Sequence, residues 1–302
     1  MSQLRWLFIF LLICPYLLRA EDIDCTERTV IVAARNRNIN SEPYALQAAD
    51  LRGKVNGQPV QILGATKPSA STRVVLVLDA SGSMSSKRER AVDVAREIIQ
   101  DSPSSTHFAA VIFADSVFKT IGFANASSDV STELKTLTVK PYGKTALYDG
   151  EWEAVRMLDA GQEGDSIVVI SDASEYHSHI PLERVRTAVL SRGIRVFFVQ
   201  FADNYLQNDV DRMDAIDAAK LSATSGGLLS KMENPEQALK GAREIAFEIH
   251  NYLAIRFRAT QPLEKKSSLH LEAVESSGRK RKDVEVLFPK EILSCASLRS
   301  SE

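Results

Sequence analysis

The sequence has little net charge, few cysteines and no long apolar run. Its 37 Lys and Arg residues nearly balance 39 Asp and Glu residues, and the net charge of −2 gives no reason to expect broad binding to nucleic acid. Beyond residue 18, no segment stays apolar over the roughly 20 residues that a membrane-spanning helix needs. The 302 residues are 44% hydrophobic and 25% charged, a globular composition that allows one large domain and a smaller one.

One short apolar run occupies the N-terminus. Arg5 precedes 13 apolar residues, Trp6 to Leu18, and Arg19-Ala20 follow. The run is short for a membrane span and typical of a secretory signal, so we expect residues 1–20 to be a signal peptide cleaved near Ala20. Retention of the segment as an N-terminal membrane anchor is the alternative. We therefore expect a secreted or periplasmic protein.

Cysteine is scarce, with three residues in the chain. Cys14 lies in the expected signal peptide, which leaves Cys25 and Cys295 near the two ends of the mature chain. A cysteine pair in an exported protein favours a disulfide, and we expect a Cys25–Cys295 bond that constrains the unfolded chain. Two free thiols in disordered tails are the alternative.

Short β-like runs flank a longer central part of the chain. Residues 21–72 contain one such run at 29–34 and two that flank Asn56-Gly57, a strong signal for a two-residue hairpin turn. The strand pattern returns over residues 252–302. Neither set of strands makes a stable sheet alone. We expect them to meet in a small β-sandwich, closed by the disulfide, into which the central domain is inserted.

Residues 73–251 alternate between apolar strands and amphipathic helices. The expected strands are 74–78, 108–113, 167–170 and 194–201. The expected helices are 87–100, 146–158, 182–191, 211–224 and 235–250. Continuous apolar strands separated by such helices predict an α/β fold with a doubly wound, mostly parallel, Rossmann-like sheet covered on both faces.

The segment Asp79-Ala80-Ser81-Gly82-Ser83 directly follows the first of these strands. It places one carboxylate and two hydroxyls at alternate positions, and such hard oxygen ligands suit a small divalent cation. Thr145, before a helix, and Asp172, after another strand, are further oxygen donors expected at the same edge of the sheet. The alternative is that Asp79 and Ser81 cap the helix starting near residue 87 and that Thr145 caps the next one.

These residues resemble the motif of a von Willebrand factor A (VWA) domain with a metal-ion-dependent adhesion site (MIDAS). That motif is Asp-x-Ser-x-Ser, then a distant Thr and a distant Asp. The matching positions here are Asp79, Ser81, Ser83, Thr145 and Asp172. The resemblance covers residues 73–251, and the flanking strands resemble, more loosely, secreted bacterial proteins built around this domain.

The resemblance implies one Mg²⁺ at the top of the fold, with Mn²⁺ or Ca²⁺ as alternatives. It implies direct coordination by Ser81, Ser83 and often Thr145. Asp79 and Asp172 would bind the ion directly or through water. A Glu or Asp of a protein partner would then fill the open position.

The loop after the last expected ligand departs from the family pattern. Ala173 stands where the family commonly has Gly, so we expect a tighter loop there. Glu175, Tyr176 and His177 are expected on the rim of the site, where they would contact the partner. His177 and His179 could instead join a zinc site.

The residues and the resemblance together predict a non-enzymatic, metal-dependent protein-binding module for adhesion or assembly. A structural envelope component whose metal site is satisfied internally is a second hypothesis. A hydrolase with Ser81 or Ser83 as nucleophile is a third, although no Gly-x-Ser-x-Gly segment is present and no histidine lies in a triad context. The sequence leaves the partner's identity and the oligomeric state open.

Overall fold

The structure is a computed structural model. It describes residues 25–37, 44–67, 71–123, 126–136, 143–159, 161–201, 209–232 and 234–295, with the backbone alone for 209–212. The predicted signal peptide, residues 1–20, lies outside these ranges. Within them, no helix is both long enough and apolar enough to cross a membrane.

The described residues form two β-sheets and a set of helices. The strands are β1 (Glu27–Asn36), β2 (Leu51–Val55), β3 (Gln58–Thr66), β4 (Arg73–Asp79), β5 (His107–Phe113), β6 (Val117–Ile121), β7 (Ser166–Ser171), β8 (Arg195–Phe201), β9 (Leu229–Met232), β10 (Leu253–Arg258), β11 (Ser267–Ala273), β12 (Val284–Leu287) and β13 (Glu291–Ile292). The α-helices are α1 (Arg88–Gln100), α2 (Ser127–Lys135), α3 (Leu147–Met157), α4 (Leu182–Ser191), α5 (Asp209–Ser225) and α6 (Pro235–His250).

The central sheet has the order β6-β5-β4-β7-β8-β9 and is parallel except for β6, which pairs antiparallel with β5. Alternate side chains of each strand point to opposite faces. On β4, Val74, Leu76 and Leu78 pack with α1, α2 and α6, while Val75 and Val77 pack with α3, α4 and α5. The predicted doubly wound α/β fold is therefore confirmed.

The N- and C-terminal strands meet in one antiparallel sheet with the order β12-β1-β10-β3-β2-β11-β13. The predicted hairpin turn joins β2 to β3, with positive φ at both Asn56 and Gly57. The expectation of two facing sheets is only partly met, because the strands hydrogen-bond in one continuous row. Along β1, residues 27–32 pair with β10 and residues 33–36 pair with β12.

The predicted disulfide is present in this antiparallel sheet. Cys25 precedes β1 and Cys295 follows β13, and the two are bonded with their Cα atoms 5.8 Å apart. The guanidinium of Arg28 donates a hydrogen bond to the Cys295 sulfur at 2.8 Å. The bond therefore joins the first described segment of the chain to the last.

The antiparallel sheet attaches to the central sheet at the amino ends of the parallel strands. Arg195, the first residue of β8, is buried and donates hydrogen bonds to the carbonyls of Glu248 and Ile249 at the end of α6. Its guanidinium lies 4.6 Å from the ring centre of Tyr252, which leads into β10. The carboxyl ends of the parallel strands therefore face away from this junction.

Candidate functional site

The five predicted oxygen donors lie at the carboxyl edge of the central sheet. Asp79 is the last residue of β4, and Asp172 comes directly after β7. These two strands are neighbours in parallel register, with Leu78 opposite Ile170. Continuing this register puts Ser171 opposite Asp79. Asp172, one residue further along, is close enough for its charge to act on the Asp79 carboxylate.

Asp79 is held from inside the protein. Its residue is 2% exposed, its Oδ1 accepts from the Ser81 backbone N–H at 2.8 Å, and its Oδ2 accepts from the Ser171 hydroxyl at 2.6 Å. Burial, and second the negative charge of Asp172, raise the pKa of Asp79 to about 6. The Asp79 carboxylate is therefore fixed in position by hydrogen bonds to both of its oxygens.

The hydroxyls lie on two neighbouring loops. Ser81 Oγ is 3.1 Å from Ser83 Oγ, and Ser83 is exposed while Ser81 and Thr145 are buried. The loop before Thr145 lies against the serine loop, because a Cβ placed on Gly82 would be 3.7 Å from the Gly143 carbonyl oxygen.

The capping alternative is not supported. Helix α1 begins at Arg88 and α3 begins at Leu147, so the residues at their N-cap positions are Lys87 and Ala146. Neither helix has a side-chain cap hydrogen bond from its N-cap residue. The serine and threonine hydroxyls therefore lie outside the N-cap positions of these helices.

Asp172 has a different environment from Asp79. Its side chain is 5% exposed, its Oδ1 accepts from the Ser174 backbone N–H at 3.1 Å, and its Oδ2 lies 3.9 Å from the Lys87 ammonium. Ala173, which follows it, has a φ of +69°, the left-handed region that glycine adopts most readily. Alanine is therefore strained at this position, whereas the glycine that the family commonly has there would not be.

The loop after Ala173 is bound to the start of α3 by reciprocal hydrogen bonds. The Thr145 carbonyl accepts from the backbone N–H groups of Tyr176 and His177 at 2.9 and 3.0 Å. In return, the Glu175 carboxylate accepts from the Tyr148 N–H at 3.2 Å and from the His177 N–H at 2.9 Å. The loops that carry Thr145 and Asp172 are therefore fixed to each other.

The three expected rim residues divide into two groups. Tyr176 and His177 are exposed, as a partner contact requires, and Tyr176 is 49% exposed. Glu175 is only half exposed and uses both carboxylate oxygens within the protein. No group of three His, Cys, Asp or Glu side chains suited to a metal ion occurs in the described residues, so the zinc alternative at His177 and His179 has no support.

Three residues near the site were missed by the sequence reasoning. Ser171 and Lys87 contact the two carboxylates, as described above. Glu151 is buried on α3, its Oε2 has no hydrogen-bond partner in the described structure, and burial raises its pKa to about 8. Glu151 lies four residues after Leu147 and therefore on the same face of α3. A charged residue on an otherwise apolar helix face is the signal by which the sequence could have identified it.

The donor set fits a hard divalent cation. Two adjoining carboxylates and three hydroxyls are oxygen ligands, which Mg²⁺ and Ca²⁺ prefer. The raised pKa of Asp79 reports the cost of burying one carboxylate beside another, and a cation among these oxygens would remove that cost.

These features define a class of protein: a doubly wound α/β domain with a candidate oxygen-donor site at the carboxyl edge of its sheet. Residues 74–175 match the model of the von Willebrand factor type A domain. Over these residues the chain is similar to the VWA domain family.

Comparison with solved structures gives distant matches of the same fold. A structure described as von Willebrand factor type A from Catenulispora acidiphila is 10% identical, with a TM-score of 0.50, over 90% of this chain and 75% of that one. Proximal thread matrix protein 1 from the mussel byssus is 16% identical, with a TM-score of 0.50, over 64% of this chain and 50% of that one. At these identities the likeness shows the fold alone. No curated protein matches the sequence.

Proposed function

We propose that this protein is a non-enzymatic, metal-dependent protein-binding module. In this proposal Asp79, Ser81, Ser83, Thr145 and Asp172 hold one divalent cation, Mg²⁺ or alternatively Mn²⁺ or Ca²⁺. When bound, the cation supplies the electrophile to which a Glu or Asp of a partner binds. The observation that carries the proposal is the buried Asp79 carboxylate, held by Ser171 and Ser81 beside a second carboxylate.

The surrounding residues prepare the site for binding. Ser171 and the Ser81 N–H fix both oxygens of Asp79, so little side-chain freedom remains to be lost when a ligand binds. The hydrogen bonds to the Thr145 carbonyl hold the second loop in place. The exposed Ser83 hydroxyl leaves the donor set open to solvent and to a partner.

The site lacks what a serine hydrolase would need. Within the described residues, neither Ser81 nor Ser83 is hydrogen-bonded to a histidine that could act as a base. We therefore propose binding without turnover. The disulfide favours an oxidising compartment, which agrees with secretion or a periplasmic location.

The first test is metal binding. Mg²⁺ at 100 times its Kd should stabilise the wild-type protein by about 2.7 kcal/mol, measured by thermal unfolding and by calorimetric titration. Asp79→Ala and the isosteric Asp79→Asn should lose this effect, whereas Asp93→Ala on the exposed side of α1 should keep it. Equal Mg²⁺ affinity in wild type and Asp79→Ala would refute the proposal.

A second test concerns the partner. A pull-down from the native envelope should recover proteins that are released by chelation and that Asp79→Ala does not capture. The alternative is a structural envelope component, and the contact of Lys87 with Asp172 favours it because it balances one charge internally. Partners that survive chelation would support that alternative.

A further inference from the structure

Three exposed apolar side chains lie on one corner of the molecule beside the candidate site. Tyr176 is 49% exposed, Met213 is 57% exposed and Ile216 is 55% exposed. Among the described residues, the other large hydrophobic side chains with comparable exposure are Phe118 on β6 and Leu239 on α6. The exposed apolar surface is thus concentrated at this corner.

Direct hydrogen bonds connect this corner to the metal-binding loops. Asp214 of α5 accepts from the Glu175 backbone N–H at 2.9 Å, which binds α5 to the loop after β7. The next residue of that loop, Tyr176, donates its N–H to the Thr145 carbonyl at 2.9 Å. Met213 and Ile216 are three residues apart on the same helix and flank Asp214, so they share one side of it.

The same corner is acidic. In the part of α5 whose side chains are described, two aspartates, Asp214 and Asp217, stand against one basic residue, Lys220. After burial, the charges of Glu151, Asp217, Asp214 and Glu175 are the causes that raise the pKa of the Tyr148 phenol. These carboxylates therefore gather within electrostatic range of one side chain. We call Tyr176, Met213, Asp214, Ile216 and Asp217 the corner patch.

We propose that the corner patch is a second contact for the partner captured by the metal site, and that it selects a peptide segment of mixed character. This inference rests on the proposed function. A partner's Glu or Asp bound to the cation would be repelled by Asp214 and Asp217 unless a Lys or Arg accompanied it. An apolar residue of the same segment would cover Met213 and Ile216.

A display library of short peptides with one fixed central Glu and random flanking residues provides the probe. It is selected on the immobilised full-length protein in Mg²⁺. We expect Lys or Arg and apolar residues to be enriched in the flanks by about tenfold, which corresponds to about 1.4 kcal/mol of binding free energy.

Variants separate the two preferences. The double variant Met213→Ser, Ile216→Ser should lose the apolar preference. Asp217→Asn should weaken the basic preference, because it removes one of the two carboxylates that cause it. Asp214 is left intact because it holds the loop after β7. Phe118→Ser removes a 44% exposed apolar side chain from the edge strand β6 and should change neither preference. Mg²⁺ affinity should be the same in all of these proteins.

The selection can overturn the inference without touching the proposed function. If the peptides selected by the wild-type protein had no preference in their flanks, the role of the corner patch would be overturned. The same would hold if the corner-patch variants selected peptides with the same preference as wild type. Selection of the same peptides by Asp79→Asn, or in the presence of a chelator, would instead overturn the metal-dependent capture. Loss of preference in the variants, with unchanged Mg²⁺ affinity, would establish the corner patch as a specificity surface.

Discussion

At the scale of single residues, Ala173 adopts a backbone conformation that alanine disfavours. Its φ of +69° costs a residue with a Cβ about 1–2 kcal/mol. Glycine would avoid this cost in the folded state. Its greater freedom in the unfolded chain would cancel part of the stability gained. The strained residue directly follows Asp172 and therefore lies within the candidate site.

Replacing Ala173 by glycine should therefore stabilise the protein. We expect Ala173→Gly to raise the free energy of unfolding by about 0.5–1 kcal/mol, measured by urea denaturation. Ala146→Gly is the matched control, because Ala146 is also buried, follows Thr145 as Ala173 follows Asp172, and has a φ of −105°. It should lower stability. If both substitutions destabilised the protein, the claim that Ala173 is strained in the folded state would be wrong.

Glu151 gives the protein a stability that depends on pH. Burial raises its pKa from 4.5 to about 8, so the folded state favours the neutral acid. The stabilising contribution is complete below pH 4.5 and is lost as the pH rises through 8. Glu151→Gln should therefore match wild type near pH 5 and exceed it at pH 9 by up to about 5 kcal/mol, at 1.36 kcal/mol per pKa unit.

Thermal unfolding across this pH range measures the effect. Glu153→Gln is the control, because Glu153 lies on the same helix, pairs with Arg156 on the surface and should change little at either pH. A constant difference between Glu151→Gln and wild type from pH 5 to pH 9 would show that Glu151 does not titrate in this way.

The candidate site divides into residues that the sequence could identify and residues that it could not. Asp79, Ser81 and Ser83 follow a buried strand at fixed local spacing, so their presence at a strand end could be predicted. The contacts of Ser171 and Lys87 could not, because they depend on β4 and β7 being neighbours and on where each side chain points. Glu175 was expected on the rim, but its hydrogen bonds turn it inward.

At the scale of elements, the long apolar strands and amphipathic helices were predictable because their periodicity is strong. Within the central domain the expected elements omitted helix α2 and the strands β6 and β9. The two strands have five and four residues and lie at the two edges of the central sheet. Edge strands are buried less completely, and β6 alternates between half-buried and exposed positions. Their pairing comes from the sheet that they join rather than from a local signal.

The junction between α6 and the central sheet depends on a glycine. Gly164 has a φ of +92°, and a Cβ placed there would overlap the Tyr252 hydroxyl. Gly164→Ala should therefore destabilise the protein by about 3 kcal/mol or more, through backbone strain and displacement of the ring. Gly193→Ala is matched in backbone conformation, with a φ of +64° and open space around it, and should cost about 1 kcal/mol.

Urea denaturation of both variants tests this element. A larger loss for Gly164→Ala, at an unchanged m value, would establish that Tyr252 packs against this turn. Equal losses would mean that the ring moves aside at little cost, and that the α6 junction is less rigid than its contacts indicate.

At the scale of the whole molecule, the disulfide closes a loop with a sequence separation of 270 residues. A bond that closes so long a loop stabilises mainly by restricting the unfolded chain, typically by about 2–5 kcal/mol. The double variant Cys25→Ser, Cys295→Ser should lose this amount in urea denaturation. Its Mg²⁺ affinity should not change, because the candidate site lies at the opposite edge of the central sheet. Identical unfolding midpoints would contradict the prediction.

The path of the chain between the two sheets has a mechanical consequence. The chain crosses from the antiparallel sheet to the central domain between β3 and β4, and it returns between α6 and β10. A pull between a protein held at the candidate site and the antiparallel sheet would be shared by two covalent crossings. Because Cys25 and Cys295 are joined, neither end of that sheet could be peeled away while the bond is intact. Tension between the two sheets would therefore load both crossings together.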